Sequence, residues 1–298
     1  MKRPPHSIGA LVLVATSLAG CEPTERTVAP AAGRSTAATT GAIAAAQTLY
    51  ALTTSNRLLQ FSSADPCTME GTVAITGLAN GETLLGIDFR PATGQLYGLG
   101  SSSRLYTINL TSGVATAVSL APFSPVLDGT AFGFDFNPTV DRIRIVSNTG
   151  QNLRVHPVTG ATAAVDAPLA YAPTDANAGA GPRITAAAYT NPDNDPATGT
   201  VLYDIDIGLG LLTTQNPPNA GILNTVGALG VGTNELTGFD IAPSGIAYAI
   251  LKVTGPDQPT RTCGNSDLYA VNLTTGAATR LGSVGAPMPV RGLASPAP

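Results

Sequence analysis

Three aspartates stand in one recurring context: Gly86-Ile87-Asp88-Phe89, Gly133-Phe134-Asp135-Phe136 and Gly238-Phe239-Asp240-Ile241. A carboxylate on a buried strand must be paired or hydrogen-bonded, because burial penalises its charge. Two chemistries answer that need. Each aspartate can tie its strand to a neighbour. Alternatively, the three can form a ring of channel carboxylates that binds a cation or polar ligand, or supplies the acid and base of a glycoside, lactone or ester hydrolase. Recurrence at a repeat position favours the tie, since a site usually breaks repeat symmetry.

What breaks symmetry is one region of unusual polarity. Asp141, Arg142, Arg144 and Arg154 cluster in one copy, with Asn148, Gln151 and Asn152 in a turn between them. The stretch YAPTDANAGAGPR follows over residues 171–183. Asn152, Asp175, Asn177 and Arg183 are therefore the candidate ligand-binding set. They are expected to converge on one face with the loop 257–267, and to suit a sugar, a peptide backbone or an envelope protein. The competing reading is ordinary turn chemistry, since Asn, Asp and Gly are the default turn residues. Asn191-Pro192-Asp193-Asn194-Asp195 alternates oxygens like a calcium loop. However, Pro196 stands where an EF-hand needs Gly and Leu202 where it needs Glu, so a solvated hairpin is expected. Gln215 to Asn219 reads as a polar turn on the face opposite the candidate site.

The absences restrict the chemistry. There are 2 His and no Trp. His6 lies in a segment expected to be removed, so no two-His metal site is available, and no metal or cofactor is expected. His156 would be the sole base for a Ser-His-Asp triad. It occupies a place taken by Asn109 and Asn272 in other copies, which marks it as a turn residue. No Walker motif, CxxC or G-x-S-x-G elbow occurs. The net charge is -4 without a basic run beyond the N-terminus, which argues against nucleic acid as a partner.

The elements that must position these residues are strands. Residues 131–162 carry the clearest unit: a Gly-aromatic-Asp-aromatic strand, a turn at Asn137-Pro138, strands over 143–146 and 153–156, and a turn at Thr159-Gly160. A Pro follows each repeated aspartate at the same distance, at Pro91, Pro138 and Pro243, and each third strand ends in Ser112-Gly113, Thr159-Gly160 or Thr275-Gly276. Residues 183–230 form a worn copy. Four strands per ~50 residues is a propeller blade. Residues 49–52 match a second strand with no first strand before it, and residues 290–294 match a first strand with nothing after it. Joined, they complete one blade and leave no open sheet edge. The expectation is an all-β chain: a single five-bladed β-propeller with four-stranded blades at 290–295 plus 48–78, 84–120, 131–168, 184–229 and 236–284. Charged residues make up 11% of the chain, well below the roughly 25% usual for soluble domains. Thr, Ser, Asn and Gln must carry much of the surface polarity.

The stretches LLGIDFRPATGQLYGL, GFDFNPTVDRIRIVSNTGQNLR, AAAYTN and LTGFDIAPSG resemble the bacterial domain of unknown function numbered 4394, over residues 49–293. The resemblance implies an exported, propeller-like domain. It brings no activity and no catalytic residues.

Met1-Lys2-Arg3 precedes a short apolar run over residues 8–18, too short to span a bilayer. Leu18-Ala19-Gly20-Cys21 resembles a lipobox, which implies cleavage before Cys21 and lipid on its sulfur. Residues 1–20 are then a lipoprotein signal, 21–46 a flexible Ala/Thr/Pro-rich tether, and 47–298 the propeller. The anchored chain would face the cell envelope, at the outer membrane if the cell is Gram-negative. Of 3 Cys, Cys67 and Cys263 remain to pair in an exported protein. They fall in neighbouring blades, but in loops expected on opposite faces.

Overall fold

The computed structural model describes residues 45–252 and 259–297. Cys21 and most of the tether lie outside them. Blade I takes its three outer strands from β1 (Thr48–Thr53), β2 (Arg57–Ser62) and β3 (Asp65–Ala74). Blade II is β4 (Leu84–Arg90), β5 (Gln95–Gly100), β6 (Arg104–Ile108) and β7 (Ala115–Ala117). Blade III is β8 (Phe132–Asn137), β9 (Arg142–Ser147), β10 (Asn152–Val155) and β11 (Thr162–Val165). After the short β12 (Ala170–Tyr171), blade IV is β13 (Ile184–Tyr189), β14 (Leu202–Asp206), β15 (Leu211–Gln215) and β16 (Ile222–Ala228). Blade V is β17 (Thr237–Ile241), β18 (Ala247–Leu251), β19 (Ser266–Val271) and β20 (Ala278–Val284). The last strand, β21 (Val290–Ala294), returns to pair antiparallel with β1, setting Tyr50 opposite Ala294 and Leu52 opposite Gly292. The innermost strands touch in the closed order β21, β4, β8, β13, β17, β21. The chain is thus the five-bladed propeller its repeats predict. Blade IV departs from four strands, because β12 adds to its outer edge in parallel with β16.

Strand composition follows position. An innermost strand is covered by blades on both sides, so β13, ITAAAY, is buried at every residue. The outermost β3 is covered on one face only and, after the buried Pro66, alternates half-buried with exposed residues. The core is divided into five clusters, one between each pair of blades. Between blades V and I, for example, Leu49, Leu59 and Phe61 meet Tyr248, Ile250 and Leu268. Burying each such side chain contributes roughly 1.5–3 kcal/mol.

The recurring Ser/Thr-Gly does more than turn the chain. Gly113 and Gly276 sit at φ +72 and +79, and each lies against the end of the preceding blade's outer strand. A Cβ at Gly113 would stand 2.1 Å from the Ala74 carbonyl oxygen, and one at Gly276 2.4 Å from that of Gly227. Gly160 and Gly221 occupy the same place against Ser119 and Pro168. At the closure, blade I has Asp65-Pro66-Cys67 instead. There the glycine lies on the other partner, Gly285, against the Cys67 carbonyl, and a Cys67–Cys263 disulfide spans the contact. Cys67 lies within β3, not in the loop before it. Strands in a sheet rotate by roughly 20–25° each. Three such steps lay the outer strand across the blade, so its start meets the end of β20 and the expected difference in height disappears.

Candidate functional site

The three aspartates meet on the propeller axis. Asp88, Asp135 and Asp240 each place an oxygen within 4.8 Å of the others, and all three are buried. Their partners explain the pattern of three aspartates and two alanines. Each innermost strand carries one backbone N–H just after the ring position, at Phe89, Phe136, Tyr189, Ile241 and Ser295. Asp88 accepts from its own neighbour Phe89 and from Phe136 of the next blade, both at 2.7 Å. Asp135 accepts from Tyr189 at 3.0 Å. Asp240 accepts from its neighbour Ile241 and from Ser295 across the closure. Where the preceding ring position is Ala188 or Ala294, no carboxylate reaches forward, and the next blade's own aspartate takes that amide. Three side chains therefore satisfy five amides. Asp135 Oδ2 is the one oxygen of the six without an amide.

Burial raises all three carboxyls, and their mutual repulsion adds to it at Asp88 and Asp135. Against burial, the Ser295 and Ile241 amides hold Asp240 to about 7. Three like charges this close cannot all ionise in a dry site. A cation could take the place of the retained protons, but the backbone bonds account for the cluster as a clasp. The hydrolase reading loses its support here, because its acid and base would be committed to amides. The channel above them narrows to a cavity of about 10 Å³ between Gly86, Phe134, Gly238 and Gly292, the space of a single water.

The four candidate ligand-binding residues do not converge. Asn152 is buried. It accepts from the Arg144 guanidinium at 2.6 Å and donates to the Ala167 and Pro218 carbonyls, beside the turn expected on the opposite face. Asp175 and Asn177 pin the 171–183 loop to the outer strand of blade IV. Asp175 accepts from the Thr225 backbone N–H at 2.7 Å, and Asn177 donates to Thr225 Oγ1 at 2.8 Å. Burial pushes the Asp175 carboxyl up, but the Thr225 and Asn177 bonds outweigh it and leave it below its ordinary value. Arg183 alone faces the axial opening, where it pairs with Glu235 at 3.1 Å.

The charges of blade III are structural. Arg90 of blade II pairs with Asp141, and the buried Arg144 shares Asp166 with Arg154. Arg144 also donates to Asn219 at 2.7 Å. At the same blade III–IV contact Asp204 is fully buried with neither oxygen hydrogen-bonded. Burial, eased by Arg144 and reinforced by Asp206, pushes it up to about 8. His156 Nδ1 accepts from the Val158 N–H, as Asn109 and Asn272 accept in their own turns. Asn191 to Asp195 form an exposed turn closed by Asp193 and Asp195 side chains on backbone N–H groups.

The feature that sequence reading missed is the axial mouth. Three residues before each ring position stand Leu85, Phe132, Thr185, Thr237 and Arg291. Strand pairing skips Leu85, Thr185 and Arg291, each the extra residue of a bulge. Bulges re-aim side chains, and here all three line one cavity of about 210 Å³ with Thr130, Phe132, Glu235 and Leu236. Among the described residues, Arg291 makes one hydrogen bond, from Nη1 to the Leu84 carbonyl at 3.5 Å, and its Nε is buried without a partner. Burial lowers its pKa from the ordinary guanidinium value. Thr185 Oγ1 is buried and likewise unpartnered. Glu235 is already engaged by Arg183, Asn148 and Thr130. The signal was present in the repeat alignment, where one copy carries Arg against Leu, Phe, Thr and Thr. A groove of about 380 Å³ on blade II is lined by no charged side chain.

No curated protein matches the chain. Among solved structures it is similar to a chain of a nidogen/laminin complex, at 14% identity and TM-score 0.44 over 84% of this chain and 97% of that one. It is similar to a protein of unknown function from Bacteroides thetaiotaomicron VPI-5482, at 15% identity and TM-score 0.46, covering 82% and 61%. It is also similar to the dihydro-heme d1 dehydrogenase NirN, at 10% identity and TM-score 0.37, covering 81% of this chain and 44% of that one. The chain thus spans less than half of NirN and about three fifths of the Bacteroides protein. A family of domains of unknown function, DUF4394, matches residues 57–294, and the chain belongs to that family.

Proposed function

We propose that this chain is an exported envelope lipoprotein that presents its propeller as a binding module, with ligand entering the axial mouth. The observation that carries the reading is the bulge-lined cavity of about 210 Å³, which gathers the Arg291 guanidinium, without an acidic partner among the described residues, and a Thr185 hydroxyl unpartnered among them. It breaks the repeat symmetry where a site should. The Leu18-Ala19-Gly20-Cys21 motif supports the anchor, with the outer membrane as the destination in a Gram-negative cell. Among the described residues, no helix is long and apolar enough to cross a membrane. The partner class is an envelope polysaccharide, peptide or protein.

The test uses the mature chain carrying Cys21→Ser, which should also move the protein from the membrane to the soluble fraction. Thermal unfolding is followed with neutral and acidic polysaccharide fragments and with peptides. One class should raise the midpoint by several degrees. Thr130→Trp, at the exposed rim, should abolish that shift while the free protein still unfolds in one cooperative transition, its midpoint lowered only by the loss of the exposed Thr130 hydrogen bonds. A shift that survives Thr130→Trp overturns the mouth as the site.

A further inference from the structure

We infer that the axial mouth takes a carboxylate-bearing sugar, a uronic acid residue whose carboxylate meets Arg291; this rests on the mouth being the ligand site. Charge comes first. Three ionisable side chains stand at the opening, and two cancel: Arg183 pairs with Glu235 at 3.1 Å. Arg291 is left as the net charge, and among the described residues it has no acidic partner. A guanidinium has five N–H donors, and this one has placed a single bond, at 3.5 Å. Its complement is one monoanionic, bidentate acceptor, and a carboxylate matches that geometry.

The rest of the lining narrows the class. Glu235, Asn148 and Thr130 form a hydrogen-bonded rim, and Thr185 adds a hydroxyl whose oxygen has no partner. Such a rim suits a ligand with several hydroxyls. Leu85, Phe132 and Leu236 form an apolar wall, which suits the C–H face of a pyranose ring. A bare inorganic anion would leave that wall uncovered. Size agrees: on the measure that gives the axial cavity of about 10 Å³ a single water, about 210 Å³ holds many, room for one sugar unit.

The probe is a trimer of galacturonate, titrated calorimetrically into the Cys21→Ser mature chain, with its methyl ester and a neutral galactose trimer as controls. The acid should bind, and the ester and neutral trimer at least 10-fold more weakly. Arg291→Gln should weaken the acid at least 10-fold and leave the ester unchanged; Arg291→Lys, which keeps the charge, should recover part of the loss and guards against a folding defect in the first variant. Arg183→Gln should matter less than Arg291→Gln. Equal binding of acid, ester and neutral trimer overturns the carboxylate. So does tighter binding of a peptide C-terminus or of acetate than of the uronide, and so does the absence of uronide binding at millimolar concentration. A neutral oligosaccharide that binds, ignores Arg291→Gln and is lost in Thr130→Trp overturns the carboxylate while leaving the mouth as the site. Uronide binding indifferent to both Arg291→Gln and Thr130→Trp overturns both.

Discussion

Asp135→Asn separates the two jobs of the axial carboxylates, accepting amides and holding protons. Asp135 Oδ1 accepts the Tyr189 amide at 3.0 Å, and Oδ2 accepts none. An asparagine keeps that acceptor and offers its NH₂ to the neighbouring carboxyls, whose nearest oxygens lie within 4.8 Å. The native carboxyls all titrate above their ordinary value, with Asp240 at about 7. A group raised by folding holds its proton more tightly in the folded chain than in the unfolded one. Its stabilisation is therefore complete below the unfolded value, near 4, and is lost as the pH rises through the folded value. Each retained proton is worth about 1.4 kcal/mol per pH unit across that window. Taking Asp240 as the guide, one carboxyl loses up to about 4 kcal/mol between pH 4 and pH 7. Asp135→Asn removes one titrating group, so it should match the native protein near pH 4 and exceed it increasingly as the pH rises, by about 1.4 kcal/mol for each pH unit over which the native carboxyl keeps its proton. Urea unfolding at pH 4.5, 6, 7 and 8, compared at constant m, measures this. Asp240→Asn is the contrast. Both of its oxygens accept amides, so its NH₂ must face the Ile241 or Ser295 N–H, and it should cost about 1–3 kcal/mol even at pH 4.5. The reasoning fails if the pH slope of Asp135→Asn equals that of the native protein, or if both variants destabilise alike at pH 8.

Other outcomes follow from the same geometry. Asp204→Asn should raise stability at pH 7 by a few kcal/mol and flatten the decline between pH 4 and 8, since a carboxyl pushed up to about 8 loses its contribution across that range; unfolding curves at pH 5 and pH 8 check it. Gly276→Ala should destabilise by about 2–4 kcal/mol, through both its positive φ and the blade IV backbone behind it, whereas Gly94→Ala, at φ +66 with open space around it, should cost only about 1 kcal/mol; paired thermal melts decide whether blade contact or turn geometry dominates. Cys263→Ser should lower stability by up to roughly 5 kcal/mol, because the bridge joins residues 196 apart, and adding reductant to the native protein should reproduce the loss in urea unfolding.

The family assignment rests on the match over residues 57–294, and the functional reading on a few side chains that depart from the repeat. Arg291 is the clearest case. It replaces Leu85, Phe132, Thr185 or Thr237 at an equivalent place, so no folding requirement common to the blades explains it. Asn152, Asp175 and Asn177 are the reverse: they looked like ligand contacts and are spent on the chain's own backbone and side chains. A polar residue in a loop reads the same from sequence whether its partner is a ligand or a nearby carbonyl, because the partner is chosen by distance in space.

Strand identity, blade number and ring closure were legible in the chain itself. The turn residues that bound the short strands, the Gly-x-Asp strands and the mutually completing ends are local or repeated, and each can be read from short segments of the chain. The recurrence of the aspartates also pointed to a structural tie. Only the folded ring determined that three carboxylates serve five amides, since that count depends on five strands converging on one axis. Only accumulated strand twist brought Cys67 to Cys263 from what looked like opposite faces. The mouth, too, is tertiary: single-residue bulges turn Leu85, Thr185 and Arg291 inward, and a bulge is a property of how two strands pair, which neither strand states by itself.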